Sequence, residues 1–305
     1  MARIDLHTHT TASDGSLSPS ELVQLAKQQG VSALAVTDHD SVEGLPEAMA
    51  AGERLGITII PGIEISCLYE EVELHILGYF INQDDPRLKP ALARYLSSRE
   101  DRNPKIIERL RQLGFDLTYD EVKNFAGEAT ICRPHIAQIL LRKGYVASVA
   151  DAFDRFLGDD GPAYVSRALP TASEAISLIR ELGGLAVLAH PGYAGRLKQS
   201  FNELCATLKG FGLAGLETLY SSHTQQQTDR FRSIAREHGL LITGGSDFHG
   251  DTKPEILVGT GYGNLRVPAE LLEELEAASQ NSPLQKHEEP LTLPSPSRGE
   301  GNMAI

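Results

Sequence analysis

Short apolar segments alternate with amphipathic ones over the first 80 residues of the chain. Residues 2–6, 31–37 and 57–63 are short and mostly apolar, as expected of buried strands. The segments between them carry apolar residues at helical spacing, and Ser18-Pro19-Ser20-Glu21 has the form of a helix capping box with proline at the first helical position. This alternation predicts strand, helix, strand, helix and strand in turn, which is typical of a parallel sheet or barrel.

Residues 84–170 have a different pattern, with successive helical segments and a single strand candidate at residues 164–165. We predict a helical insertion over residues 99–166. Pro104 follows Asn103 inside it, and either kinks one long helix or begins a new helix that Asn103 caps. Arg99 and Arg102 share a helix face only if the helix is unbroken at this point.

The strand and helix alternation resumes after the insertion. Further strands are predicted at residues 185–189, 213–220 and 240–245, with helices at 171–184, 201–208, 225–238 and 268–279. Residues 281–305 contain many Pro, Ser and Gly and few large apolar residues, which indicates a disordered tail. The predicted organisation is a barrel domain from residues 1–98 and 167–280, a helical insertion or cap domain at 99–166, and a tail at 281–305.

Composition and charge limit the classes of function. The 305 residues are 41% hydrophobic and 23% charged, as in a globular protein, and the formal net charge is −13. This charge argues against binding of long duplex nucleic acid, although a small anion can bind where positive charge is concentrated. No apolar run reaches the roughly 20 residues that span a bilayer, and the start lacks a secretory signal pattern, so a cytoplasmic protein without membrane contact is predicted.

Three cysteines are predicted to be core residues. Cys67, Cys132 and Cys205 lie far apart in the sequence and are odd in number, which argues against a disulfide framework and fits a reducing compartment. No Gly-x-Ser-x-Gly nucleophile elbow is present either.

Side chains that can bind a metal lie at the ends of most apolar runs, or within them. His7 and His9, two residues apart at the end of a strand, point to the same side of it. The full set of candidates is His7, His9, Asp14, His39, Glu64, His75, His190, Asp247 and His249. Six imidazoles and three carboxylates are too many ligands for one four-coordinate zinc, and they suit two or three ions held by nitrogen and oxygen. Asp14 precedes Gly15 and could instead be a turn former.

Four of these segments carry a resemblance to a known family. Asp5-Leu6-His7-Thr8-His9-Thr10, Thr37-Asp38-His39, Ala189-His190-Pro191 and Ser246-Asp247-Phe248-His249 resemble, in order and spacing, the four motifs of the PHP (polymerase and histidinol phosphatase) family. The match covers residues 1 to about 265. The opening through Glu64 is most similar to bacterial members that act as 3',5'-nucleoside bisphosphate phosphatases, a group related to RNase AM.

The resemblance implies a fold and a metal content. The expected fold is α/β, a distorted (β/α)7 TIM-like barrel of the PHP type with a helical cap, and its active site is expected at the carboxyl ends of the strands. Two to three divalent ions are expected, manganese first, with iron or zinc compatible. The implied ligand sets are His7, His9, Glu64 and Asp247 for one ion, Glu64, His75 and His190 for the second, and Asp14, His39 and His249 for the third.

The implied activity is hydrolysis of phosphoesters. Clustered metals activate a water and neutralise phosphoryl oxygens, so no protein nucleophile is needed beyond the metal ligands. The resemblance implies removal of the 3'-phosphate from nucleoside 3',5'-bisphosphates, giving nucleoside 5'-monophosphates, and also 5'-3' trimming of short RNA. The expected substrates are therefore small nucleotides or short RNA or DNA ends. Histidinol phosphatase, and a non-catalytic metal-binding module that binds a partner protein, are the alternatives.

Substrate contacts are expected from the insertion. Arg133 and His135 lie just before or at the start of a helix, and Arg99, Arg102 and Asn103 open the inserted region. Cations and a helix start at this place could hold a second phosphate near the metals. Arg99 and Arg102 could equally be solvated surface charges, and the sequence leaves both alternatives open.

Overall fold

In the part of the chain that the structure describes, seven strands form one sheet and follow one another in chain order. A computed structural model describes residues 3–127 and 129–281. The strands are β1 (Arg3–Asp5), β2 (Val31–Val36), β3 (Thr58–Tyr69), β4 (Val72–Tyr79), β5 (Leu185–Leu188), β6 (Gly215–Tyr220) and β7 (Leu241–Gly245). Neighbouring strands are parallel except at β4, which is antiparallel to both β3 and β5. The fold is therefore α/β with a sheet that is mostly parallel.

The antiparallel strand results from a tight turn between β3 and β4. Glu70 and Glu71, which join them, both have positive φ, at 46° and 66°. A two-residue hairpin of this kind must reverse the chain direction, whereas parallel neighbours need a longer crossover. The parallel arrangement predicted from the opening alternation is confirmed for β1, β2 and β3, and β4 departs from it.

The two edges of the sheet approach each other without pairing as strands. The Leu6 amide donates to the Gly244 carbonyl at 3.2 Å, and Thr8 forms an isolated bridge with Phe248. Among the strands that the structure describes, β1 pairs only with β2 and β7 only with β6, so the sheet is not closed. A barrel is not confirmed by this topology.

Ten α-helices occur in the described part of the chain. They are α1 (Pro19–Gln28), α2 (Leu45–Leu55), α3 (Leu88–Gln112), α4 (Tyr119–Ala126), α5 (Arg133–Arg142), α6 (Val149–Ala152), α7 (Ala172–Glu181), α8 (Phe201–Phe211), α9 (Gln225–Glu237) and α10 (Glu270–Gln280). The predicted capping box of α1 is confirmed, because the Ser18 hydroxyl accepts from the Glu21 amide and the Glu21 carboxylate accepts from the Ser18 amide.

The inserted region begins with one long helix. α3 runs without a break through Pro104, so Asn103 lies inside a helix and caps none. Arg99 and Arg102 consequently lie on the same helix, and both are buried. The helix starts at Leu88, before the predicted boundary at residue 99, and no strand forms at the predicted position 164–165.

Three clusters of apolar residues form the core. Along β2, Leu34 and Val36 belong to one cluster while Ala33 and Ala35 belong to another, so the strand is covered on both faces. The third cluster, which includes Ile106, contains only residues of the inserted region, between positions 106 and 165. The exact division into domains stays a prediction.

Three further predictions concern the C-terminal tail, the cysteines and membrane-spanning segments. The predicted tail lies outside them except for Asn281. The three cysteines are free and buried, as predicted. Within residues 3–127 and 129–281, no helix combines the length and the apolar character needed to cross a bilayer.

Candidate metal centre

The nine predicted ligands come together at one edge of the sheet. His7 and His9 follow β1, His39 follows β2, His190 follows β5, and Asp247 and His249 follow β7. His75 lies within β4, as predicted. Glu64 was expected to follow its strand, but β3 continues to Tyr69 and Glu64 lies inside it. The difference arises because β3 extends past the sheet edge to form its hairpin with β4.

Glu64 lies at the middle of this group of side chains and is fully buried. Its Oε1 is 2.9 Å from His75 Nδ1 and 2.9 Å from His190 Nε2. Its Oε2 is within 3.3 Å of three more imidazole nitrogens, those of His7 (3.3 Å), His9 (3.2 Å) and His39 (3.1 Å). One carboxylate therefore contacts five imidazoles from four different strand segments.

Asp247 and Asp14 contact the remaining imidazoles. Asp247 Oδ1 is 3.5 Å from His7 Nε2, 3.3 Å from His9 Nε2 and 3.4 Å from His249 Nδ1. Asp14 Oδ1 is 3.3 Å from His249 Nε2, and its Oδ2 is 3.9 Å from His39 Nε2. All three acidic candidates thus lie within one continuous set of His and carboxylate contacts.

Four subsets have ligand atoms within 4.8 Å of one another. They are His9, Asp14, His39 and His249; His7, Glu64 and His190; His7, His9 and Asp247; and His39, Glu64 and His75. The grouping of Asp14, His39 and His249 that the resemblance implies recurs here, with His9 added. His75 and His190 meet at Glu64 but fall into separate subsets. Which ligand binds which ion stays a prediction.

Unpartnered buried atoms test whether metal ions fit this site. Among the described residues, His7 Nε2, both ring nitrogens of His9, His39 Nδ1 and Glu64 Oε2 are buried without a hydrogen-bond partner. Buried polar atoms are normally paired, because leaving them unpaired is costly. Imidazole nitrogens and carboxylate oxygens that converge in this way are ligands of divalent transition metals. The residues present therefore fit divalent ions.

The carboxylates of the site are held ionised. Burial would raise the pKa of Glu64, but the charges of His39 and His7 hold it well below its usual range. The pKa of Asp14 is likewise held well below its usual range, against the effect of burial, by His39 and His249. Burial lowers the pKa of His39 to about 3. For the other imidazoles the nearby carboxylates outweigh burial, so the pKa of His7 is raised well above its usual range, that of His9 to about 9 and that of His75 to about 10. Ionised carboxylates and neutral imidazoles are the forms that bind metals.

Glu217 supports the site and was missed by the sequence analysis. It is fully buried on β6; its Oε1 lies 2.9 Å from His7 Nδ1, and its Oε2 accepts from the His190 amide at 2.6 Å. This contact orients His7 with Nε2 towards Glu64 and Asp247. A carboxylate inside the apolar strand Gly215–Tyr220 was the available signal, because such a residue is rarely buried without a partner.

The second carboxylate oxygen of Asp247, Oδ2, forms two contacts outside the group of imidazoles. Tyr220 donates its hydroxyl to Asp247 Oδ2 at 2.7 Å, and Lys253 Nζ lies 2.7 Å from the same oxygen. These contacts leave Oδ1 directed at the imidazoles. Neither residue was a candidate in the sequence analysis.

The inserted region brings arginines next to this group of ligands. Arg99 donates to Asp40 Oδ2 at 2.6 Å, and Asp40 directly follows His39. Arg133 Nη2 lies 3.3 Å from Glu73 Oε2, and Glu73 Oε1 is 3.6 Å from His75 Nε2. The alternative of solvated surface charges is wrong for Arg99 and Arg102, whose exposed fractions are 5% and 3%.

Arg102, Asn103 and His135 have donors that could meet an anion. Among the residues that the structure describes, the Arg102 guanidinium donates to the Asn103 side-chain oxygen, from Nε at 3.2 Å and from Nη2 at 3.0 Å. His135 Nδ1 accepts from the Cys132 amide at 2.9 Å, and burial lowers the pKa of His135. The neutral ring then carries its proton on Nε2, which can donate.

A further arginine was also missed. Arg167 Nη2 lies 3.3 Å from Asp40 and 3.8 Å from Glu73, between the partners of Arg99 and Arg133. We call Arg99, Arg102, Arg133 and Arg167 the guanidinium cluster. Nothing in the sequence around Arg167 distinguishes it from a surface charge.

Three further histidines, His223, His238 and His287, are not among the nine candidate ligands. His238 ends α9, as expected of a cation at a helix C-terminus. His223 is buried and closer than expected, with its ring 5.1 Å from that of Tyr220 and its Nδ1 3.0 Å from the Thr218 carbonyl oxygen. His287 lies outside the described residues.

Comparison with known proteins gives consistent matches. Residues 5–159 match the family model of the PHP domain. Over 248 residues the chain is 37% identical to a 5'-3' exoribonuclease of Haemophilus influenzae, covering 81% of this chain and 90% of that protein. It is 35% identical to a 3',5'-nucleoside bisphosphate phosphatase of Chromobacterium violaceum over 257 residues, covering 82% and 88%.

Solved structures also match this chain over most of its length. A Bifidobacterium adolescentis protein assigned as a metal-dependent phosphoesterase superposes with a TM-score of 0.83 at 32% identity, over 90% of this chain and 96% of that chain. An amidohydrolase from Chromobacterium violaceum, with bound sulfate and no metal, superposes with a TM-score of 0.82 at 32% identity and the same coverage. The similarity thus extends over the sheet, the inserted region and the site.

Proposed function

The chain belongs to the PHP family, and from this premise we propose that it removes the 3'-phosphate from nucleoside 3',5'-bisphosphates. It is a metal-dependent phosphoric ester hydrolase, in keeping with its family and its relatives. The nine ligands would hold two or three divalent ions, manganese first. When bound, such ions lower the pKa of a water, neutralise phosphoryl oxygens and stabilise the leaving oxygen.

One observation carries the choice of substrate: two sites of opposite polarity lie side by side. The metal centre offers electron-pair donors, whereas the guanidinium cluster offers N–H donors and positive charge. Asp40 and Glu73 join the two, because each contacts the cluster and lies next to a metal ligand. A molecule with two phosphates can place one at each site.

The protein's own residues would bind and orient the substrate. Arg102 and His135 Nε2–H would donate to the phosphate that is retained, while Glu217 and Asp247 keep the imidazoles in position. No side chain needs to act as the nucleophile. The buried cysteines are poor candidates for that role, since burial raises the pKa of the Cys132 thiol to about 11.

The same reaction applies to a nucleotide and to the 5' end of RNA. Water attacks the phosphorus on the 3' side of the nucleoside, the bond from phosphorus to O3' breaks, and O3' leaves as a hydroxyl with a proton from water. A 3',5'-bisphosphate gives inorganic phosphate and a nucleoside 5'-monophosphate. A short RNA with a 5'-phosphate gives the same nucleotide and a shortened RNA that again has a 5'-phosphate, and the exoribonuclease relative favours this second substrate.

The finer points of architecture are also proposals. The hydrogen bond between Leu6 and Gly244 supports a sheet that curves into a distorted barrel, and the separate apolar cluster around Ile106 supports a cap domain near residues 99–166. We place Arg99, Arg102, Asn103, Arg133 and His135 among the substrate contacts.

The test is to identify the product with manganese added. Adenosine 3',5'-bisphosphate, AMP, histidinol phosphate and a 5'-phosphorylated short RNA are compared, with His7→Ala as the blank. Rapid release of phosphate that leaves AMP is expected. Much faster hydrolysis of histidinol phosphate would make the protein a histidinol phosphatase, and no hydrolysis of any phosphoester at full metal loading would favour a non-catalytic module.

A further inference from the structure

We propose that Arg167 binds the phosphate that is not hydrolysed and thereby contributes to selection of bisphosphate substrates. This inference rests on the proposed function and adds a residue from the segment that follows the inserted helices. Arg167 lies outside every motif of the sequence analysis.

The side chain of Arg167 is buried with unused donors. Its exposed fraction is 2%. Neither Nε nor Nη1 has a hydrogen-bond partner among the residues that the structure describes. A guanidinium has five N–H donors in a fixed fork, and buried donors without acceptors are costly. A phosphate oxygen bound here would satisfy them.

The charges around Arg167 are unbalanced in favour of cations. The four guanidiniums of the cluster share two buried carboxylates, because Asp40 contacts Arg99 and Arg167 while Glu73 contacts Arg133 and Arg167. Asp159, which also contacts Arg133, is 39% exposed and screened by water. A dianionic phosphate monoester would balance the remaining two positive charges.

The pKa shifts of Arg167 and Arg102 agree with an anion-binding site in the guanidinium cluster. Burial, and then the charge of Arg99, lower the pKa of Arg167. The pKa of Arg102 is lowered by burial and by the other three guanidiniums. Cations that disfavour one another in a buried place are stabilised when an anion binds between them.

The position of Arg167 fits the second phosphate and not the one at the metals. It contacts both acidic residues that separate the guanidinium cluster from the metal centre, and it contacts none of the nine ligands in the described part of the chain. The unused Nε and Nη1 can each donate to a phosphate oxygen, and a terminal phosphate offers three such oxygens where a diester offers two.

A purely structural role is the competing explanation. Arg167 could only link Asp40 to Glu73 and so attach the inserted region to the sheet. Loss of such a link would lower stability and would affect all substrates alike, whereas loss of a phosphate contact would affect only substrates that carry the second phosphate.

The experiment compares Arg167→Gln with the wild type on two substrates at saturating manganese. One is adenosine 3',5'-bisphosphate, and the other is adenosine 3'-monophosphate, which lacks the second phosphate. We expect kcat/KM for the bisphosphate to fall about 10- to 100-fold, mainly through KM, since a hydrogen bond to a charged group is lost. The value for the monophosphate should change less than about threefold, within the range of a neutral substitution. Arg155→Gln is the matched control, because Arg155 lies in the inserted region, is 53% exposed and forms an ion pair with Asp151, which is outside the guanidinium cluster.

An equal fall for both substrates, or an unchanged ratio, would overturn the inference. If Arg167→Gln fails to fold, Arg167→Lys carries the test: it keeps the charge but loses the fork, so a several-fold selective loss is expected and an unchanged ratio contradicts the proposal.

Binding of AMP to metal-free protein separates the two proposals. Calorimetry should show weaker binding to the Arg167 variant than to the wild type. If the wild type does not hydrolyse the bisphosphate and binding still depends on Arg167, the proposed function fails and the phosphate contact stands. If the wild type hydrolyses the bisphosphate and Arg167 affects neither the ratio nor binding, only the inference fails.

Discussion

The metal centre and the guanidinium cluster are neighbours with opposite chemistry. In the metal centre, ionised carboxylates and ring nitrogens surround Glu64, and many of these atoms are buried without hydrogen-bond partners. In the guanidinium cluster, the buried groups that lack partners are N–H donors, those of Arg167. One site therefore requires cations and the other requires an anion, and the difference indicates a substrate that is held at both ends.

The largest expected effect comes from Glu64→Gln, which removes the charge shared by five imidazoles with little change of shape. Each bound metal supplies several kcal/mol of transition-state stabilisation, so activity should fall by roughly 10³-fold or more, together with a loss of bound metal. Metal content and phosphate release are measured on the same samples. Glu203→Gln, the same substitution at an exposed carboxylate that takes part in the cap of α8, is the control. Full metal content with a normal rate would show that Glu64 is not a ligand.

Arg99→Gln tests the guanidinium cluster by its effect on the free energy of unfolding. Removing one partner of a buried ion pair costs about 3 kcal/mol, because Asp40 then keeps only the weaker ion pair with Arg167 and the hydrogen bond from the Ser66 amide. Denaturant unfolding of Arg99→Gln, Asp40→Asn and the double variant measures the coupling between them. We expect the double variant to lose less than the sum of the single losses. Strict additivity would mean that the two groups are independent.

Glu217→Gln should weaken metal binding without removing a ligand. The amide cannot accept equally from His7 and from the His190 amide, and changes to such supporting groups typically cost about 10- to 100-fold in affinity or activity. Titration with cobalt, followed by its absorption spectrum, reports both affinity and geometry. Glu203→Gln, which affects an exposed cap of α8, should leave the titration unchanged. Identical curves for both variants would exclude a supporting role for Glu217.

Ser200→Ala should have the smallest effect and should change neither site. Ser200 caps α8 by accepting from the Glu203 amide, and its own hydroxyl donates to the Glu203 carboxylate. Loss of an N-cap is expected to lower Tm by about 2 °C. Calorimetry measures the shift, and kcat/KM for both adenosine substrates should stay at the wild-type value. A change in substrate preference would show that general loss of stability can imitate the effect of Arg167.

The two sites also differ in how far the sequence predicts them. The nine metal-centre residues could be named because periodicity locates strand ends, and parallel strands bring those ends to one edge. Glu64 was nevertheless placed after its strand, since hydrophobic pattern alone did not show that β3 continues to Tyr69. The strand that carries His75 was a candidate, but the hydrophobic pattern did not show that this strand, β4, is antiparallel to its neighbours.

The guanidinium cluster was only partly predictable. Arg99, Arg102 and Arg133 were named as substrate contacts, but burial of the first two depends on how the inserted helices pack on the sheet. Arg167 and its partners Asp40 and Glu73 lie far apart in the chain, and such long-range ion pairs leave no periodic signal. Glu217, by contrast, could have been recognised from the sequence, because it is a carboxylate inside an apolar strand.

The most direct measurement is the preference of the manganese-loaded wild type for a second phosphate. It is the ratio of kcat/KM for adenosine 3',5'-bisphosphate to that for adenosine 3'-monophosphate. If the guanidinium cluster binds the retained phosphate through several charged hydrogen bonds, the ratio should be about 10² or higher. A ratio near one would mean that the cluster binds no phosphate, and would contradict a substrate held at both sites.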